Sequence, residues 1–453
     1  MASTHIESPT LANPATGASK KGTWSFWMKR GNLGGSRILN TNENSNNEFL
    51  VSFKTDDTMQ IYQIAGGSNL YQYRTNRKFR DINSWYHIVL AIDTTLGTAG
   101  DRVKLYVNGV QETSFQTTTN NMPQNHSFHG LYGGIKQNIG RDVAHGSEFF
   151  DGVLSYFAFI DGTQELPTIF GETDSTTGEW KIKTTITPSS AWGTNGYLIL
   201  KDGNSLTDQS TNSNNFSSVA GTLTKTEDNP SNVFCTLNPI NSRYISIIQG
   251  NNTASGGNNG SDYSYIGSTL AANSGKFYWE VKAADLAEID QVGVARASSS
   301  FAQVSTGHGL QGTPYGGKSV QFSNGNKAGD DSQSAYMGGF STDDIMMIAL
   351  DLDNNKITFG RNGQWANGSG GADQTYANST AAYTNLTAGE YYVPAQAKRA
   401  SGANYGTNNY NFGNGYFGTT AVSSAGTNAS GIGIFEYDVP TGFTALSTKG
   451  LNE

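Results

Sequence analysis

Cysteine is almost absent from this 453-residue chain: Cys235 is the sole one, which excludes an intramolecular disulfide framework. Its setting, Val233-Phe234-Cys235-Thr236-Leu237, is apolar, so it reads as a small buried side chain rather than a reactive thiol. Charge is scarce too, at 15% Asp, Glu, Lys and Arg, against about 25% in an average soluble protein. The net charge is −8 and no basic patch is interleaved with aromatics, so neither nucleic acid nor an anionic membrane is an expected partner. The densest basic stretch, Arg74 to Arg80 with Lys78, reads as a solvated loop. No apolar run approaches the roughly 18 residues of a spanning helix, so no membrane insertion is expected. Residues Met1 to Lys20 are polar and lack an apolar core, hence no secretory signal is expected either. Heptads and collagen or β-helical repeats are missing, which excludes a coiled-coil stalk or a shaft made by this chain. Walker, dinucleotide and nucleophile-elbow motifs are also missing. The Gly-rich stretch Gly312 to Gly317 leads into a strand pattern and offers no helix N-terminus to a phosphate.

What is present is turn chemistry around short apolar runs. There are 55 glycines and 11% aromatic residues, and the 36% hydrophobic residues fall between clusters of Gly, Asn, Ser, Thr and Asp. Two stretches read as equivalent hairpins: Trp85 to Asp93 followed by Val103 to Gly109, and Asp344 to Asp353 followed by Lys356 to Gly363. Each is a strand, an acidic turn, and a second strand ending in Asn-Gly. Further strands are expected at Trp24 to Lys29, Glu48 to Phe53, Met59 to Ile64 and Gly152 to Ile160, then at Lys276 to Val281, Val292 to Ala295, Lys318 to Phe322, Tyr392 to Ala395 and Tyr410 to Gly413. The expected fold is all-β: two β-sandwich jelly rolls in tandem joined by an ordered connector. The boundaries are a tail at 1–19, a first sandwich at 20–165, a connector at 166–245, a second sandwich at 246–440 and a tail at 441–453. Alternation assigns Trp24, Phe26 or Trp27, Trp85 and Val107 to the first core, and Trp279, Val281, Ile348, Leu350 and Phe359 to the second.

The first set of strands, with Leu105-Tyr106-Val107-Asn108-Gly109 and Phe150-Asp151-Gly152, resembles the laminin-G-like, concanavalin-type jelly roll over residues 20–165. The second set resembles the SPRY domain through Tyr278-Trp279-Glu280-Val281, Val292-Gly293-Val294, Leu350 to Asp353, Asn362-Gly363 and Asn411-Phe412-Gly413; Asp343 departs from that pattern. A narrower resemblance is carried by Met1 to His5, Trp24 to Arg30, Ile160-Asp161-Gly162 with Phe170-Gly171, Gly193 to Tyr197, Asn229 to Pro239 and Pro440 to Leu446. These are similar to a family of virion structural proteins of tailed, often marine, bacteriophages. That resemblance implies an external appendage or decoration component, of tail-fibre or capsid-fibre type, assembled in the host cytoplasm and later extracellular. The implied partners are other virion proteins, further copies of itself and host-surface polysaccharide, and residues 1–18 are the expected anchor to the particle. The rival readings are a polysaccharide-degrading tail enzyme and a secreted lectin.

Site chemistry is sparse. Glu172, Asp174 and Glu179 invite comparison with paired glycosidase carboxylates, which stand about 5–9 Å apart, but Ser175 to Gly178 break the strand alternation and read as a loop. The chain is therefore expected not to be an enzyme. His126 and His129 lie in a Pro/Gly/Asn-rich loop without the helix or acidic partner of a metal site, and the acidic turns Asp93 to Asp101 and Asp351 to Asp353 lack the alternating oxygens of a calcium loop. No metal and no cofactor is expected; structural calcium has no motif behind it. The remaining candidates are aromatic and amide-rich: Tyr71, Tyr73 and Arg74 in the first sandwich, and Tyr336, Trp365, Tyr405 and Tyr410 in the second, are expected to stack sugar rings, weakly and without calcium.

Overall fold

The computed structural model describes residues 4–12, 20–44, 46–119, 122–141, 148–257, 262–301, 309–311, 315–329, 332–399 and 406–452. Among them there is no α-helix, only strands and short 3-10 turns, so no helix is long and apolar enough to cross a membrane. The chain divides into two compact units, Met1–Lys225 and Thr226–Glu453.

The first unit contains β1 (His5–Glu7), β2 (Lys21–Arg30), β3 (Ser36–Asn44), β4 (Asn47–Phe53), β5 (Thr58–Ala65), β6 (Ser68–Lys78), β7 (Tyr86–Asp93), β8 (Val103–Val107), β9 (Val110–Glu112), β10 (Phe115–Thr119), β11 (Gln137–Ile139), β12 (Gly152–Asp161), β13 (Gly171–Thr173), β14 (Trp180–Ile182), β15 (Tyr197–Ile199) and β16 (Ser217–Ala220). Among the described residues one sheet runs β10-β6-β5-β4-β3-β11-β1-β16 and the other β15-β12-β2-β7-β8-β9. Alternation along β2 turns Trp24, Phe26 and Met28 inward, where they meet Phe49, Ile61, Ile88, Val107, Phe157 and Phe159. Trp24 stacks on Phe159 at 4.7 Å and Phe26 on Phe157 at 4.8 Å. Trp27, one residue out of phase, faces the other way and stacks on His87 at 4.7 Å; Trp85 is buried outside this core.

The second unit contains β17 (Leu237–Arg243), β18 (Ser246–Ile248), β19 (Thr253–Ser255), β20 (Ser264–Ser268), β21 (Lys276–Asp285), β22 (Ile289–Arg296), β23 (Lys318–Gln321), β24 (Lys327–Gly329), β25 (Ser332–Ser334), β26 (Ile345–Asp351), β27 (Lys356–Arg361), β28 (Gln364–Ala366), β29 (Ala372–Gln374), β30 (Tyr392–Arg399) and β31 (Thr407–Asn411). Its sheets run β17-β20-β30-β22-β23-β24-β25 and β18-β19-β31-β21-β26-β27-β28-β29. The core between them holds Trp279, Val281, Ile348, Leu350 and Phe359, as the alternation requires, and Cys235 is buried there too.

The two units share one topology. The path β1-β11-β3-β4-β5-β6 corresponds to β20-β30-β22-β23-β24-β25, and β12-β2-β7-β8-β9 to β31-β21-β26-β27-β28, in the same chain order and with the same antiparallel pairings. The Asn-Gly turns fall at equivalent places. Asn108 and Gly109 have φ of 48° and 78°, and Asn362 and Gly363 have 50° and 85°, the primed turn that matches strand twist. In each, the Asn side-chain oxygen accepts a backbone N–H from the start of the hairpin's first strand, from His87 at 2.8 Å and from Ile345 at 2.8 Å.

Three boundaries differ from the sequence expectation. The tail at 1–19 is not free: β1 is hydrogen-bonded between β11 and β16, and Leu11 is buried. The connector is split, because residues 166–225 belong to the first unit and 226–245 to the second. Phe170 and Trp192 from this stretch cover the outer side of the β2-β7 sheet against Val89, Ala91, Ile160 and Leu198. The tail at 441–453 is likewise anchored: Thr444–Ala445 pairs in parallel with β21, while Phe443 and Leu446 are buried.

Candidate functional site

The aromatic residues expected to meet sugars are in the cores. On β6, Tyr71 and Tyr73 point inward; Tyr71 is 0% exposed, stacks on Phe128 at 6.1 Å, and burial holds its phenol well above the usual range. Tyr336 is inside the second sandwich, donating to the Thr380 carbonyl at 2.7 Å. Trp365 is packed edge-on to Tyr376 at 5.0 Å. Tyr410 donates to Gln396 Oε1 at 3.0 Å and stacks on Phe412. None of these can stack a ring from solvent: Tyr71, Tyr73, Trp365 and Tyr410 are buried residues of strands, and Tyr336 is packed into the core from the segment after β25. Tyr405 lies outside the described residues.

Arg74 is placed differently. It faces outward from β6, with Nε donating to Thr58 Oγ1 at 2.9 Å and its guanidinium paired with Asp56 at 2.8 Å. Cross-strand register extends the same face over five of the sheet's strands, from β11 to β6. One row is Asn138, Asn40, Leu50, Tyr62 and Gln72, and the next is Arg37, Ser52, Gln60 and Arg74. Tyr62 and Gln72 are half-exposed at the rim, whereas Asn40, Ser52 and Asn138 form a buried floor. Tyr62 donates to Glu48 Oε1 at 2.6 Å, which fixes its ring. Both amide atoms of Asn40, the Ser52 hydroxyl and Asn138 Oδ1 have no hydrogen-bond partner among the described residues, although Asn40 is 0% exposed. Buried polar atoms are nearly always paired, so these four are exceptions lying beneath the half-exposed rim of the face. Sequence reasoning took Tyr71 and Tyr73 in place of Tyr62; the run Tyr71-Gln72-Tyr73-Arg74, whose polar members face outward, was the available signal.

The equivalent face of the second unit is closed. Tyr265, Ala395 and Ala397 on its outer side are roofed by Phe301, Leu310 and Tyr315, with Tyr265 and Tyr315 4.9 Å apart.

The carboxylates compared with glycosidase pairs do not sit in a cleft. Glu172 is opposite Lys181 on the β13–β14 hairpin, and both side chains are about half exposed. Asp174 accepts the N–H groups of Thr176 and Thr177 and pairs with Lys181, which holds its carboxyl below the usual range. Asp351 accepts from Asn354, and Asp353 from the Gly275 N–H, so these acids cap turns. His126 pairs with Gln63 at 3.1 Å and His129 packs on Tyr132. Among the described residues no three His, Cys, Asp or Glu side chains converge.

Two buried titratable groups escaped sequence reasoning. His87 lies between Trp27 and Trp180, with Ser25 Oγ at 2.9 Å from Nε2. The contact looks like a Ser–His pair, but Trp180 Nε1 donates to Nδ1 at 3.0 Å, so the ring proton is on Nε2 and is donated to the serine. The imidazole cannot take the Ser25 proton, and burial pushes its pKa down to about 3. Glu280 is the second, buried under residues 434–438.

Comparison with known proteins agrees with this geometry for the first unit, which has a concanavalin A-like fold: residues 2–170 match the family model described as the concanavalin A-like lectin/glucanases superfamily. No curated protein matches the chain. Among solved structures, the SPRY domain of human HERC1 is 16% identical, covering 38% of this chain and 96% of that one at a TM-score of 0.30. The SAP-like pentraxin of Limulus polyphemus is 20% identical, covering 36% and 71% at a TM-score of 0.26.

Proposed function

We propose that the protein binds carbohydrate through the outer face of the β10-to-β16 sheet and does so without cleaving it. The observation that carries this reading is the half-exposed rim of that face, where register sets Tyr62 beside Gln72 and Arg74, with the unpaired polar atoms of Asn40, Ser52 and Asn138 buried in the same sheet face. An aromatic face takes the CH side of a sugar while amides and a guanidinium take its hydroxyls. The lectin/glucanase family match supports the ligand class. The solvated hairpin that carries Glu172 supports binding over hydrolysis.

A glycan array probed with the full chain tests it. Tyr62→Ala should lower binding at least tenfold, while Tyr71→Phe, which removes only a buried hydroxyl, should leave it unchanged. Equal binding by wild type and Tyr62→Ala would remove the sheet face from consideration.

We further propose that the chain works as a virion component of a tailed phage, docking on other virion proteins in many copies so that weak glycan contacts add up. The motif resemblance supports this, and purified particles analysed by mass spectrometry test it: absence of the chain from intact particles would refute it. Because β1 is built into a sheet, the expected anchor at 1–18 is not carried forward.

A further inference from the structure

We infer that the second unit cross-links its own two sheets: Lys398 Nζ forms an amide bond to Asn408 Cγ, ammonia is released, and Asp290 moves the proton. Register brings the three side chains together. Asp290 on β22 stands opposite Lys398 on β30, and Asn408 lies on β31 of the facing sheet. Alternation turns all three into the space between the layers. Asp290 is in phase with the core residues Val292 and Val294, and Asn408 with Tyr410 and Phe412. Lys398 is out of phase with Ala395 and Ala397, which face the outer side. None of the three is more than 1% exposed. Asp290 is the hub: its Oδ2 accepts from Asn408 Nδ2 at 2.6 Å and faces Lys398 Nζ at 3.9 Å, while Oδ1 accepts from Gln396 Nε2 at 2.5 Å. Lys398 Nζ also donates to the carbonyls of Gly406 at 3.1 Å and Ala254 at 3.2 Å. Gly406 is two residues before Asn408, and Ala254 is its register partner. Amine and amide therefore share one carboxyl oxygen and one patch of backbone.

An ion pair alone does not account for this group. The contact between Lys398 and Asp290 is long, both side chains are removed from water, and such a pair gains little over apolar residues of the same volume. Asn408 Oδ1 is buried and has no hydrogen-bond partner among the described residues, so the amide carbonyl is left open on the side a purely structural network would have closed. Burial opposes both charges: it holds the Lys398 ammonium below its usual range, against the pull of Asp290 and Asp285, and the Asp290 carboxyl above its own, against the pull of Lys398. The uncharged pair is the reactive one, since a neutral amine is a nucleophile and a neutral carboxyl an acid. The Nζ lone pair forms the bond to Asn408 Cγ as Asp290 protonates the amide. The Cγ–Nδ2 bond then breaks, Nδ2 leaves as ammonia, and the proton shed by Nζ returns to Asp290. One C–N bond is formed and one broken, nothing is oxidised or reduced, and no co-reactant is needed. Holding amine and amide together in a dry core turns an encounter into a rearrangement. The bond is independent of the carbohydrate reading.

Mass spectrometry of the denatured full chain tests this. Expected is a mass below that of the sequence, with or without Met1, by one ammonia, about 17 Da. Trypsin should yield a fragment in which residues 362–399 and 400–449 stay joined through Lys398 and Asn408 after cleavage at Arg399. Lys398→Met and Asn408→Ala should each keep the full mass of their own sequence. Asp290→Asn, which retains hydrogen bonding but cannot pass the proton, should leave the two peptides separate. A wild-type chain of full mass, cleaved after Lys398 like any other lysine, would overturn the inference. So would a loss of ammonia that survives Lys398→Met, or one that maps to Asn108 or Asn362, where an Asn-Gly turn closing on its own backbone changes the mass by the same amount. Joining in Asp290→Asn to the wild-type extent would overturn the part given to that carboxyl. The deciding measurement is made on the wild-type chain, so a variant that fails to fold cannot stand in for either result.

Discussion

Replacing Glu280 by Gln should remove a pH dependence from the second unit alone. Glu280 sits on β21, 0% exposed, and accepts from Tyr278 Oη at 2.9 Å, Asn411 Nδ2 at 3.3 Å and the backbone N–H groups of Glu436 and Tyr437, both at 2.9 Å. Burial opposes the charge and the four donors favour it; burial wins, and the carboxyl is pushed up from 4.5 to about 7. The folded state therefore holds its proton through a window in which the unfolded chain has lost it. Stability contributed by Glu280 is complete below about 4.5 and is lost as pH rises through about 7. At about 1.4 kcal/mol per pKa unit the loss is on the order of 3 kcal/mol. Glu280→Gln cannot titrate, so the stability of wild type relative to the variant should fall by about that amount from acid to neutral pH. Amide hydrogen exchange in the intact chain reads this locally, at β21 and at residues 434–438, which the carboxyl holds against the sheet. Parallel wild-type and variant profiles would show that Glu280 carries no shifted proton. A wild-type slope of opposite sign would show that the four donors outweigh burial.

The first unit should respond in the opposite sense. His87, with its pKa pushed from 6.5 down to about 3 by burial, contributes stability that is complete above 6.5 and lost as pH falls toward 3; the full loss is on the order of 5 kcal/mol. His87→Phe should flatten the first unit's exchange profile between those values, and a slope surviving that substitution would place the titration elsewhere. Deleting residues 1–12 removes β1 from between β11 and β16 together with the buried Ile6 and Leu11 side chains. The expected cost is about 3–5 kcal/mol from the lost apolar burial and ladder bonds, measured as a lower urea midpoint for the first unit only; an unchanged midpoint would show that the segment is dispensable to the fold.

The two Asn-Gly hairpins were legible because everything that defines them is local. The primed turn requires positive φ at both central residues, Asn and Gly supply it, and the flanking alternation fixes which side faces the core. Trp279, Ile348 and Phe359 fell into place by the same logic. The outward-facing residues of β6 did not, because parity decides them and parity needs a strand boundary. Once β6 is known to begin at Ser68, Tyr71 and Tyr73 must be inside and Gln72 and Arg74 outside, but a stretch taken for a Gly/Asn-rich loop has no parity. Short strands hid for a related reason. His5–Glu7 and Ser217–Ala220 hold too few residues to show a period, and their pairing joins segments more than 200 positions apart. The covering role of Phe170 and Trp192 has no sequence period at all, since an irregular segment that follows the outer side of a sheet places its aromatics where the surface beneath demands them.

The shared topology also carries two outer sheet faces of different composition. In the first unit β3 and β4 are joined across residues 45–46, a connection too short to reach back over the sheet. In the second, the equivalent strands β22 and β23 are joined across residues 297–317, and that longer segment brings Phe301, Leu310 and Tyr315 onto Tyr265 and Ala397. The two faces differ accordingly: amides, hydroxyls and arginines on the first, alanines and a tyrosine under the aromatic roof of the second. A polar face under an apolar roof would strand its donors, and an apolar face without a roof would expose a sticky sheet, so loop length and face composition must change together. The length of the segment between β3 and β4 and between β22 and β23 therefore changes together with the composition of the face, polar in the first unit and apolar beneath a roof in the second.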